Sequence, residues 1–231
     1  MAYIQGDAAS TSGTSSLTLP FPSNNTSGNL LVVCYAHTGD ASNDTVTDTN
    51  NTPVQAIAET TDEFHESSAW YVLSCAAGAN TVTVSGGGTL GRSCCIAEYS
   101  GVAASGALDQ TAVTTGTGTS VNSGSTPTTQ QASELLVGYA TCNSDDASPY
   151  SPTGSWTERE DLAGIQLDMW MGDQEVSVVG TYATTVTQTS TSGWTAGIMT
   201  FRTPQAVLKL NLPIDGRVGL RPGMFMPGIA R

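Results

Sequence analysis

Charge is scarce in this chain, and most of it has one sign. Of 231 residues, 12% are charged, with 7 Lys and Arg against 20 Asp and Glu, for a net charge of −13. So few basic groups exclude a nucleic-acid surface over the body of the protein. Aromatics are also sparse at 6%. No apolar run approaches the roughly 18 residues a membrane helix needs, so no membrane partner is expected. The opening Met1-Ala2-Tyr3-Ile4-Gln5-Gly6-Asp7 has neither a basic segment nor an apolar stretch, and is not read as a signal peptide. The Asn-x-Ser/Thr triplets at Asn24, Asn25, Asn43 and Asn50 are then chance products of a Thr-rich sequence. Cys34, Cys75, Cys94, Cys95 and Cys142 are odd in number and form no C-x-x-C pair. They are expected to be reduced packing residues made in a reducing cytoplasm, with Cys94 and Cys95 on opposite faces of one strand.

What remains is Thr, Ser and Gly punctuated by short apolar bursts, the signature of strands and turns. Leu17 to Phe21 alternates, and Leu30 to Tyr35 is continuously apolar, as in a strand covered on both faces. Ala69 to Leu73, Thr81 to Val84 and Ser93 to Tyr99 follow. The order then recurs: Leu135 to Ala140, Leu167 to Met171, Glu175 to Val179, Thr184 to Thr187 and Thr195 to Arg202. Gly28-Asn29-Leu30-Leu31-Val32-Val33 answers to Ser133-Glu134-Leu135-Leu136-Val137-Gly138, and Gln5 to Gln110, each about 105 positions on. Trp70 and Trp170 fall at equivalent places in this scheme and are expected in the core. No segment carries a convincing 3.6-residue period. The fold class expected is all-β: two tandem jelly-roll-like antiparallel β-sandwich units, 1–103 and 104–204, related by internal repeat. One larger sandwich built from two related halves is the alternative.

Residues 205–231 break the pattern. Residues 1–204 hold Arg92, Arg159 and Arg202 against nineteen acids, a balance of −16, whereas the tail carries +3. Lys209, Leu210, Leu212, Arg217, Leu220, Arg221, Met224, Phe225, Met226 and Arg231 make it apolar and basic together. Its prolines forbid a continuous helix or a central strand. Extended, it could reach on the order of 90 Å. It is expected to act as an anchoring strap in a groove of another subunit, with folding back onto its own sandwiches as the alternative.

Chemistry-bearing groups are few. His65, between Glu63 and Glu66, reads as a solvated loop residue, and His37 as a surface residue at a strand end. No G-x-S-x-G elbow accompanies them. Asp40, Asp44 and Asp48 are closely spaced carboxylates, with Asp145 and Asp146 in the corresponding loop, but polar turns explain both clusters and no metal or other cofactor is expected. Glu158, Glu160 and Asp161 could pair for glycoside hydrolysis, against the plainer reading of a charged loop. Trp156 and Trp194, in loop-like contexts, are candidate glycan contacts.

The stretches Ser27-Gly28-Asn29-Leu30-Leu31-Val32-Val33, Ile96-Ala97-Glu98-Tyr99-Ser100-Gly101-Val102 and Trp194-Thr195-Ala196-Gly197-Ile198-Met199-Thr200-Phe201-Arg202 resemble a loosely defined group of β-sandwich proteins encoded by tailed bacteriophages and prophage-bearing bacteria. The resemblance covers residues 1–204 and implies a virion structural protein, not an enzyme. The function expected is a capsid decoration, cement or head-fibre subunit held by its tail. Its partners would be capsid or other virion proteins and copies of itself, a homotrimer by expectation. Alternatives are a tail or baseplate fibre protein, or a carbohydrate-binding module recognising a glycan on the bacterial surface.

Overall fold

A computed structural model describes residues 1–39, 43–62, 64–86, 91–144 and 146–205. The strap residues 206–231, with Asp40, Glu63 and Asp145, lie outside the described residues. Among the described residues all regular structure is strand. The first eight are β1 (Ala2–Thr11), β2 (Ser16–Pro20), β3 (Leu30–Thr38), β4 (Thr45–Asp48), β5 (Val54–Thr61), β6 (His65–Val72), β7 (Thr81–Ser85) and β8 (Arg92–Ser100). The second eight are β9 (Leu108–Thr117), β10 (Ser120–Asn122), β11 (Ser133–Cys142), β12 (Ser151–Pro152), β13 (Thr157–Leu162), β14 (Asp168–Ser177), β15 (Thr185–Thr187) and β16 (Gly193–Arg202).

All pairings are antiparallel. The first half makes a five-stranded sheet, β1-β8-β3-β6-β5, and a three-stranded sheet, β2-β7-β4. The second half makes β9-β16-β11-β14-β13 and β10-β15-β12, the same orders with each strand number raised by eight. The junction expected at residues 103 and 104 falls in the connection between β8 and β9.

The alternation of side chains along a strand explains why the central strands are apolar throughout. On β3, Leu31, Val33 and Tyr35 meet Val46, Val82 and Val84 of the small sheet in one core. Leu30, Val32 and Cys34, on the other face, join Leu135, Val137, Met169, Met171, Met199 and Phe201 of the second half in another. A third core, with Val121, Ala140, Trp170, Val186 and Trp194, lies between the second half's own sheets. The two large sheets therefore pack face to face between the small ones, giving four layers around three cores. β1 lies against β13 and β9 against β5, while β8 meets β14 and β16 meets β6. Exchanging the halves leaves that set of contacts unchanged, the behaviour of a two-fold interface.

Cys94 and Cys95 point into different cores, as expected of adjacent strand residues. Two expectations are corrected by register. Glu175 to Val179 is not a strand of its own, because β14 runs unbroken through Gly172 to Ser177, and Val178 and Val179 are exposed. Nor are Trp70 and Trp170 equivalent. Trp70 lies opposite Val33, whereas Trp170 lies opposite Ala140, two positions away on the same face. A Cβ on Gly172 would come within 2.4 Å of the Trp170 ring, so the missing side chain is what admits the indole.

Candidate functional site

Both histidines are fully buried, contrary to the surface positions expected of them. His37 Nε2 lies 3.0 Å from Asp44 Oδ1 and 3.4 Å from Glu66 Oε2. Ser68 donates its hydroxyl to Asp44 at 2.6 Å, and Thr61 donates to Glu66 at 2.9 Å. Burial pushes the His37 value down, but the hydrogen bond and charge of Asp44, with Glu66 behind it, outweigh this and raise it. The result is a sealed imidazole held by two acids within the first unit.

His65 opens β6 beneath the second half, which is why a polar local sequence still buries it. Its Nδ1 is 2.9 Å from Asp62 Oδ1, and its Nε2 is 2.7 Å from the Thr141 hydroxyl of β11. Burial raises the Asp62 carboxyl, and the bond and charge of His65, with two backbone N–H groups, bring it below its usual range. The connectivity is that of an acid, base and nucleophile. Thr141 is fully buried, however, so its hydroxyl is closed to a substrate, and the chain of bonds joins two sheets.

Of the carboxylates expected to cluster, the described Asp44 and Asp48 turn to different neighbours. Asp48 caps a turn, accepting N–H groups from Asn50 at 2.8 Å and Asn51 at 2.9 Å, and the Asn80 amide at 2.7 Å. Asp44 belongs to the His37 cluster. Among the described residues no group of three or more His, Cys, Asp or Glu is arranged to hold a metal ion. Glu158 accepts the Trp170 indole N–H at 3.1 Å. Asp161 accepts the Ser148 hydroxyl at 2.9 Å and the Tyr150 N–H at 3.0 Å. Glu160 sits against β1 near Gly6, its carboxyl raised by burial and by Asp7. A bulge between Glu158 and Glu160 sends the three acids to different neighbours, so they do not form a facing pair.

Trp194 is 7% exposed and lies over Gly116, where a Cβ would come within 2.4 Å of the ring. That burial leaves little of the ring's flat face open for a sugar to stack on. Trp156 is half-buried, its ring edge-on to Trp170 with centroids 6.1 Å apart. All five cysteines are free and buried, and burial raises each thiol, Cys75 and Cys142 to about 11.

Sequence reasoning missed the buried polar groups that define each half. Glu98 accepts the side-chain amides of Gln5 at 2.6 Å, Asn25 at 2.8 Å and Asn29 at 2.6 Å, and the Thr26 N–H at 2.8 Å. A lone acid within the apolar run of β8 was the available signal. At the seam, Arg159 chelates Asp173 and lies over Tyr3, with centroid distance 4.2 Å. The exchange of halves places the same seam on the other side as Phe201 edge-on to Tyr71, centroids 5.8 Å apart. No helix among the described residues is long and apolar enough to cross a membrane. Neither a family model, nor a curated protein, nor a solved structure matches this chain.

Proposed function

We propose that this chain is a virion structural protein of a tailed bacteriophage, a capsid decoration, cement or head-fibre subunit held by residues 205–231. Its body is read as two tandem jelly rolls related by duplication. In each half, four strands in the order first, eighth, third, sixth face three in the order second, seventh, fourth. That order supports reading each half as a jelly roll whose fifth strand has moved to the larger sheet, and jelly rolls recur in viral capsid proteins. The long spacings shared by Leu30 with Leu135 and Leu31 with Leu136 support duplication, since each pair holds the same register position.

The observation that carries the reading is a contrast. The body commits its histidines and buried acids to internal contacts and carries −16, while the tail is apolar and carries +3. An acidic, rigid body repels its neighbours at long range, and an apolar basic strap gains most from a sheltering, acidic surface. The reading is non-enzymatic, homo-oligomeric and virion-located. Trp194's burial weighs against the carbohydrate-binding alternative.

Quantitative mass spectrometry of purified particles of the encoding phage tests this directly. The chain is expected in a copy number that is a symmetric multiple of the head lattice. Its absence from washed particles would sink the proposal.

A further inference from the structure

The contacts between the halves are two-fold related, but the two ends they create are not closed alike. Counted from Leu31 opposite Glu98 and Leu136 opposite Thr200, Gly91 and Gly193 hold the same place, as do Ser10 and Thr115. On one side the five-residue connection from β13 to β14 fills that place. Ile165 donates its backbone N–H to the Ser10 hydroxyl at 3.1 Å, and Ser93 donates its hydroxyl to the Leu167 carbonyl at 2.6 Å. Gly91 has no room for a Cβ, which would come within 2.6 Å of the Ile165 carbonyl oxygen. A stretch of peptide backbone is what the chain itself puts here.

On the other side the connection from β5 to β6 is three residues long, and the place stands open. A cavity of about 360 Å³ lies there, lined by Asp62 and Phe64 of the first half and by Thr115, Thr117 and Gly193 of the second. Phe64 is 59% exposed although its backbone is held on both sides. Its N–H is donated to Asp62 at 2.9 Å, and its carbonyl accepts from Gly39 at 3.0 Å. The Asp62 side chain is 4% exposed. Its Oδ1 takes the contacts of the turn, while Oδ2, against Gly193, has no hydrogen-bond partner among the described residues. The opening thus combines a firmly presented aromatic ring, a hydroxyl where Ser10 receives an N–H, and an unshared carboxylate oxygen in its wall. That chemistry fits an extended peptide that is both apolar and basic.

We propose that this cleft receives the strap, residues 205–231, of a second copy of the chain, in the place that residues 163–167 fill on the related side. The strap carries both properties the cleft calls for. Met224, Phe225 and Met226 supply apolar groups for Phe64, and Arg217 and Arg221 suit a body that carries −16. The course of the chain selects a neighbour over the strap's own body. β16 starts at Gly193 in the cleft and ends at Arg202, roughly 30 Å away, where the strap departs beside Gln205. Copies meeting end to end bring one strap to the next cleft, a head-to-tail contact that closes into a ring when the rotation between copies allows. The inference rests on the anchoring role proposed for the strap, and it names one place where the strap docks.

Photo-crosslinking on the full chain tests it, with Phe64 replaced by p-benzoylphenylalanine and isotopically labelled and unlabelled chains mixed. Crosslinks are expected between position 64 and residues 205–231, in pairs that join a labelled to an unlabelled chain. In parallel, Phe64→Ser, a change at an exposed position, is expected to weaken self-association in sedimentation by roughly tenfold with the fold intact. Thr115→Val, also at an exposed position, is expected to weaken it less. Crosslinks that never reach the strap, or that join only residues of one copy, overturn the docking site. A wild type that stays monomeric, or undiminished association of the Phe64→Ser chain, does the same. A chain abundant in washed particles that gives any of these results keeps the virion reading and loses this one.

Discussion

Arg159 grips Asp173 at two points across the β13–β14 ladder, Nε to Oδ2 at 2.6 Å and Nη2 to Oδ1 at 3.1 Å. The pair faces Tyr3 and Tyr99 of the other half, and burial together with Asp173 holds the Tyr99 phenol well above its usual range. Removing one partner strands the other charge at a nearly dry seam. Arg159→Ala, which strands the buried Asp173, is expected to cost about 2–4 kcal/mol, and Asp173→Ala about 1–3 kcal/mol because the Arg159 left behind is partly solvated. Chemical denaturation checks both, and equal, negligible costs would mean that the seam is held by apolar packing alone.

Glu98 contributes to the acid response of the first half. Burial raises its carboxyl, but the hydrogen bonds from Gln5, Asn25, Thr26 and Asn29 together bring it below the ordinary value. A lowered folded value means its stabilisation is present above the ordinary glutamate range and is lost as pH falls through the folded value. Glu98→Gln is expected to cost about 1–3 kcal/mol at neutral pH and to flatten the acid limb of a stability–pH profile. An unchanged acid limb in the variant would assign that limb elsewhere.

Gly172 and Gly116 are spaces for indoles, not points of flexibility. In either alanine variant the added Cβ would press on Trp170 or Trp194 at 2.4 Å. A loss of about 1–3 kcal/mol is expected for each from overpacking, read as a fall in melting temperature. Variants as stable as the parent would show that the rings can move aside.

The thiols are expected to be silent until the protein opens. All five are buried, and burial raises every one of them. A thiol reagent at pH 8 is expected to label none in the native state within minutes, and all five in guanidinium. Rapid native labelling of one would locate a local opening.

The double-sided strands were legible because apolar runs such as Leu30 to Tyr35 and Leu135 to Ala140 leave no polar face to expose. Cys94 and Cys95 followed from the same pleat. The edges were harder. β1, β5, β9 and β13 border solvent and carry mixed sequences, so no alternation marks them. The single strand β14 reads as two in the sequence, Leu167 to Met171 and Glu175 to Val179, because a glycine's role under a ring depends on where the ring arrives. His65 looked solvated because its cover, including Thr141, comes from a distant part of the chain. The strap reading rests on composition alone, since residues 206–231 lie outside the described ones.

Removal of residues 205–231 tests the central claim most directly. The intact chain and the truncated chain would be sedimented alone and with purified heads of the encoding phage, at low and at high salt. The truncated body is expected to stay folded, to lose self-assembly and to remain in the supernatant. Arg217, Arg221 and Arg231 changed together to Glu are expected to weaken capture more at low salt than at high salt. Full assembly and undiminished head binding by the truncated body would contradict the account.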